Sequence, residues 1–179
     1  MAESAFIVRV PEAEPHVAHL RERFDPMALL GVPAHITLLY PFLSPEQITT
    51  PVLGASRTIA SAMTAFPFRL DRIGRFPGVL YLAPEPATPF AAFTNALARR
   101  FPEFPPYGGQ FQTIVPHLTV AHVNDAECVA VEGELRSSLL SSGGVSASCR
   151  EISLIENSSG RWKLMHVLPL SSAARSHGI

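Results

Sequence analysis

Hydrophobic residues recur along this chain in two rhythms, alternate positions and helical spacing, and prolines and glycines mark where one gives way to the other. Ala5 to Val10 is β-branched and aromatic and stops at Pro11, which predicts a strand. His16 to Phe24 carries Val17, Leu20 and Phe24 at i, i+3 and i+7 and predicts a helix. His35 to Phe42 is apolar at alternate residues, and a helix is expected from Ser44-Pro45 to about Met63. Phe66 to Phe76 and Val79 to Ala83 predict strands on either side of a Pro77-Gly78 turn. Pro89 to Phe101 presents Phe90, Phe93, Leu97 and Phe101 as one helical stripe, and the Pro/Gly-rich stretch Pro102 to Gln110 predicts a loop. A strand from Pro116 to Val123 and a helix from about Asp125 to Leu140 come next. Val145 to Ile155 and Trp162 to Leu170 read as two closing strands joined by a polar turn at Asn157 to Gly160, with Ser171 to Ile179 a loose tail.

The order is β-α-β-α-β followed by β-α-β-α-β-β, and the second block resembles the first. AFIVRVPEAEPHVAHLRERF leads to VPAHITLLYPF as VLYLAPEPATPFAAFTNALARRF leads to VPHLTVAHV. In each a strand ends at a proline, a helix carries an arginine pair near its end, and the next strand opens with His-x-Thr. His35 and His117 lie 82 residues apart, about half the chain, too long a period for a solenoid unit. An internal duplication is expected, with two α+β lobes facing each other.

Composition narrows the function. A length of 179 residues suits one domain, and 47% hydrophobic against 16% charged residues excludes a disordered or fibrous chain. The formal charge is -1, and Lys163 is the only lysine. No basic run could hold a long nucleic acid, which leaves a small anion or the end of a strand. Cys128 and Cys149 make no disulfide framework and read as small buried residues. The N-terminal stretch lacks a secretory signal's basic and apolar regions, and no segment is long and apolar enough to span a membrane. A cytoplasmic protein is expected.

The candidate chemistry lies in the two His-x-Thr triplets. On a regular strand His35, Thr37 and Leu39 share one face while Ile36, Leu38, Tyr40 and Phe42 share the other. His117, Thr119 and Ala121 are likewise separated from Leu118, Val120 and His122. Facing lobes would bring two imidazoles and two hydroxyls into one cleft, a set suited to attack at phosphorus. One neutral imidazole accepts a proton from the nucleophile, the opposite imidazolium protonates the leaving oxygen, and the hydroxyls donate to non-bridging phosphate oxygens. No metal or other cofactor is needed. Because the two rings must hold opposite protonation states, the rate is expected to fall on both sides of neutrality.

His35-Ile36-Thr37-Leu38 and His117-Leu118-Thr119-Val120 resemble the paired motifs of the 2H phosphoesterases, within them the 2'-5' RNA ligase-like and cyclic phosphodiesterase proteins. The likeness extends to GRFPGVLYLAP and to Arg99-Arg100-Phe101-Pro102, and so over roughly residues 5 to 170. It implies a single bilobal domain over residues 1–170, of duplicated α+β fold. Two antiparallel-sheet lobes with outer helices would surround a central cleft, and residues 171–179 would form a tail. It also implies metal-independent action on 2',3'-cyclic phosphates or 2'-5' linkages, with His35, Thr37, His117 and Thr119 as the catalytic set. With no basic surface, a nucleotide with a cyclic phosphate or a short RNA end is the expected partner of a monomeric protein. A nucleotide- or RNA-end-binding module with little turnover is the alternative. A metal hydrolase fits poorly, since neither motif contains Asp or Glu.

The remaining candidates read as structural. His122, on the opposite face from His117, is expected at the core or a strand edge. His16, His19, His166 and His177 have no motif around them. The arginines between Arg69 and Arg75 are expected on a solvated strand edge. Tyr40, Tyr81, Tyr107 and Trp162 have rings that can stack on a base, but core packing is expected of each.

Overall fold

The computed structural model describes residues 2–110 and 113–172. Its elements in order are β1 (Ser4–Arg9), α1 (Glu14–Phe24), α2 (Pro26–Leu29), β2 (His35–Phe42), α3 (Thr50–Ala62), β3 (Phe66–Phe76), β4 (Val79–Glu85), α4 (Thr88–Arg100), β5 (Leu118–His122), α5 (Asp125–Leu140), β6 (Val145–Cys149), β7 (Glu151–Glu156) and β8 (Lys163–Pro169). Short 3-10 turns sit at Pro11–Ala13, Pro45–Gln47 and Pro106–Gly109. Among the described residues no helix is long and apolar enough to cross a membrane.

The strands form two four-stranded sheets, in the orders β2-β1-β7-β8 and β5-β4-β3-β6, and every strand pairing within them is antiparallel. β2 and β5, which carry or adjoin the two His-x-Thr triplets, are edge strands, and they approach each other where the sheets meet. Packing crosses between the repeated units: α1 lies against β5, and α4 lies against β2. One continuous core joins both sheets to these helices, with Phe6, Leu20, Leu39, Leu82, Phe90, Phe93 and Leu97 fully buried. Each such side chain stabilises the fold by roughly 1.5–3 kcal/mol relative to its exposed state.

Three expectations about the elements need correction. The segment from Val145 to Ile155 is not one strand: β6 pairs with β3, β7 pairs with β1, and the chain changes sheet at Arg150. The lobes therefore differ from the two halves of the sequence, because the first sheet takes β7 and β8 from the end of the chain and the second takes β3 from the first block. The helix expected from Ser44 begins at Thr50; Ser44 and Gln47 form a capping box around a separate 3-10 turn, and Pro51 is accommodated in the first turn of α3. Ser171 is held by backbone hydrogen bonds to Met63 and Ala65, and the rest of the expected tail, from residue 173, lies outside the described residues.

α5 matches its expected bounds because its start is chemically marked. Asn124 accepts from Glu127 N at 3.0 Å, and the Glu127 carboxylate accepts from Asn124 N, which satisfies two otherwise orphaned N–H groups.

Candidate active site

The two triplets adopt the same local structure. His35 opens β2 and its Nδ1 donates to the Pro33 carbonyl at 2.8 Å, while His117, just ahead of β5, donates from Nδ1 to the Val115 carbonyl at 2.7 Å. A carbonyl can only accept, so Nδ1 carries the hydrogen and Nε2 is the basic nitrogen of each neutral ring.

Both strands then carry a bulge at the same place. Thr37 pairs with Ile7 and Leu39 with Phe6, which leaves Leu38 as the extra residue. Thr119 pairs with Tyr81 and Ala121 with Leu80, leaving Val120 extra. One inserted residue reverses the alternation beyond it. Leu38 and Leu39 are consequently both buried in the core, as are Val120 and Ala121.

The faces expected for a regular strand are thus wrong at Leu39 and Tyr40 and at Ala121 and His122, while a second register shift in β2 returns Phe42 to its expected place in the core. Tyr40 turns to the side of Ile7 and packs edge-on against Trp162 with ring centroids 6.0 Å apart. Its hydroxyl donates to Glu3 at 2.8 Å, and burial, then this bond, push its pKa up to about 12. His122 turns to the side of His117 and lines the same cavity. That cavity, of about 490 Å³, is bounded by His117, Thr119 and His122, with Phe76, Val79, Tyr107, Thr113 and Val115 supplying most of its apolar wall.

Tyr107, expected in the core, bridges the two strands. Its hydroxyl is within hydrogen-bonding reach of Thr37, and its ring lies nearly parallel to that of His117, 6.5 Å away at 21°. Burial raises its pKa. Its backbone is left-handed, at φ 53°, an uncommon conformation for a residue with a side chain and one that clusters at functional sites. The surrounding Pro-Pro-Tyr-Gly-Gly was legible only as a loop.

Tyr81 lies beside His117 as well. Its ring lies over Gly74, where an added Cβ would come within 2.3 Å of it, and it stacks on Phe76 at 4.3 Å. Phe76 meets His117 edge-on at 5.1 Å, and Tyr81 lies 5.4 Å from it. Gly74→Ala is expected to displace this wall and lower turnover by about 10-fold to 10²-fold. Gly54→Ala, on α3 with nothing within 4 Å of its Cβ, is the control and is expected to leave turnover unchanged. Steady-state kinetics of the two variants check this.

A buried ion pair lies at the end of α1, the helix packed against β5. Arg21 donates to Asp25 Oδ2 from Nε and Nη2 at 3.0 and 2.8 Å and to the Val32 carbonyl at 3.1 Å, and both residues are almost wholly buried. Asp25 Oδ1 accepts from Met27 N at 3.0 Å, capping α2, and stands 3.9 Å from His122 Nε2. Burial, followed by the Arg21 guanidinium, holds the His35 imidazole at about 4. His117 is also lowered by burial, opposed by the Val115 carbonyl. No feature of the hydrophobic pattern marked Arg21 or Asp25.

The chain matches the family model for the 2'-5' RNA ligase superfamily over residues 10–161. It is 36% identical over 121 residues to a Bacillus cytotoxicus protein provisionally named a phosphoesterase, covering 65% of this chain and 67% of that one. A Bacillus cereus protein named in the same way is 34% identical over 126 residues, with the same shares covered. The fold is similar to that of TT0787 from Thermus thermophilus, with a TM-score of 0.62 and 18% identity over 95% of this chain and 98% of that one. It is also similar to Escherichia coli LigT complexed with 3'-AMP, with a TM-score of 0.59 and 18% identity over 94% and 97% of the two chains.

Proposed function

The chain belongs to the 2'-5' RNA ligase superfamily, and from that premise we propose that it is a metal-independent phosphoesterase acting on 2',3'-cyclic phosphates or 2'-5' linkages of nucleotides or short RNA ends. One observation carries this reading: two His-x-Thr segments, alike in backbone bonds and bulge, lie on edge strands that approach each other. In a 2',3'-cyclic phosphate, one imidazole takes a proton from water as its oxygen bonds to phosphorus. The other protonates the ribose oxygen as its P–O bond breaks. Thr37 and Thr119 donate to the non-bridging oxygens, where negative charge concentrates.

The cavity beside His117 suits the nucleoside part, because its wall is largely aromatic and aliphatic. The complex of LigT with 3'-AMP supports a nucleotide ligand. A short substrate is favoured because the arginines of β3 are already engaged: Arg69 with Asp71, Arg72 with Glu85, and Arg75 with Glu132.

The pH profile of turnover of a nucleoside 2',3'-cyclic phosphate tests the reading. In the empty cleft both imidazoles have lowered pKa values, so the bell for kcat/KM is expected on the acid side of 6.5. Bound phosphate favours imidazolium and raises both, so the bell for kcat lies at higher pH. A single-limbed profile, or a kcat bell displaced to lower pH than that for kcat/KM, contradicts the two-histidine mechanism. Tight binding without turnover indicates a binding module.

A further inference from the structure

The two motifs are built alike but not surrounded alike. When α1 and α4 are aligned on Phe24 and Phe101, buried Leu20 falls on buried Leu97, and Arg21 falls on Ala98. The α4 arginines, Arg99 and Arg100, are exposed. One half therefore places a guanidinium inside the protein, 2% exposed, where the other half has a methyl group.

We propose that Arg21 and Asp25 are positioning residues whose buried charges break the symmetry of the two histidines, keeping His35 unprotonated in the empty cleft and so making it the proton acceptor and His117 the donor. The assignment of roles rests on the two-histidine reading; the placement of the proton does not.

The geometry ties this pair to His35 twice. Arg21 Nη2 holds the Val32 carbonyl, Glu14 accepts from Ala34 N at 2.6 Å, and between these anchors the Pro33 carbonyl orients the His35 ring. α1 thus fixes the segment that aims the imidazole and places a charge near it. The field of an ion pair does not cancel nearby: Arg21 Nη2 reaches the Val32 carbonyl, three residues before His35, whereas Asp25 Oδ1 is turned to Met27 N and His122, and the lowered pKa of His35 agrees with the nearer cation. Among the other charged groups, Arg9 lies opposite His35 in the β1–β2 ladder and is paired with Glu151 at 3.0 Å. A proton on His117 also works against one on His35. At His117, by contrast, burial lowers the pKa and the Val115 carbonyl raises it, and among the described residues Arg21 is the one buried arginine. When a phosphate anion enters, the proton it attracts is less disfavoured on His117.

Histidine-labelled NMR titration of the full chain tests this, with the two ring signals assigned by their loss in His35→Gln and His117→Gln. His117 is expected to gain its proton at higher pH than His35. Arg21→Gln should raise the His35 midpoint by about one pH unit, Asp25→Asn should lower it, and Arg21→Lys should leave it near its original value. Opposite signs are the signature of charge, since loosening that lets water into the cleft would move both variants upward. The proposal is overturned if His35 protonates above His117, if Arg21→Gln leaves the midpoint unchanged, or if both neutralising variants move it the same way. If Arg21→Gln does not fold, the wild-type order and the Asp25→Asn shift still decide. Loss of turnover in the histidine variants without these titration shifts leaves the two-histidine reading standing and removes this proposal. Shifts present while His35→Gln keeps full turnover do the reverse.

Discussion

Replacing His35 or His117 by glutamine is expected to lower turnover of a 2',3'-cyclic nucleotide by about 10²–10⁴-fold, the usual contribution of a positioned acid or base. Glutamine keeps a polar side chain of similar reach but cannot exchange a proton near neutrality. Among the described residues the hydrogen bond of each ring is local, to a carbonyl two residues before it, so neither substitution breaks a hydrogen bond between distant parts of the chain. The double variant should be scarcely slower than the worse single one, because acid and base act as one unit. Circular dichroism confirms the fold, and initial rates give the effect. A loss below tenfold in both single variants would remove the histidines from the chemistry. His122→Gln is the informative neighbour: it lines the cavity, so an altered KM with kcat retained is expected of it.

Thr37→Val and Thr119→Val are expected to slow the same reaction by about 10²–10³-fold, the effect of losing one well-placed donor to an oxyanion. Valine preserves the β-branched shape that suits a strand. The two variants should differ in degree. Thr37 has the Tyr107 hydroxyl within reach, which can take over part of its role, whereas Thr119 has the apolar cavity beside it. The larger loss is therefore expected for Thr119→Val. Equal affinity for substrate with a reduced maximal rate separates a donor that acts in the transition state from one that only binds. Unchanged rates in both variants would exclude the threonines from the site.

The four residues at the centre of this account were legible because the motif occurs twice at matching points of a repeat. The elements were legible wherever a local signal ended them, as at Pro11 and at the capped start of α5. The residues around the four were hidden for identifiable reasons. Hydrophobic alternation cannot reveal an inserted residue when the residues beside it are also apolar, as Leu38-Leu39 and Val120-Ala121 are, so the bulges that redirect Tyr40 and His122 were invisible. The same pattern does not say which sheet a strand joins, and β6 and β7 were read as one. Tyr107 reaches Thr37 and His117 only through the path of its loop. Arg21 looked like any charged helix residue, yet α1 crosses to the other half's strand and buries it.

The most direct test is hydrolysis of a nucleoside 2',3'-cyclic phosphate by the wild-type protein in excess EDTA, followed by phosphorus NMR beside the His35→Gln/His117→Gln double variant. The account predicts opening to a nucleoside monophosphate at the same rate with and without the chelator, and loss of that signal in the folded double variant. Activity that vanishes in EDTA and returns with a divalent ion, or that persists undiminished in the double variant, would contradict it.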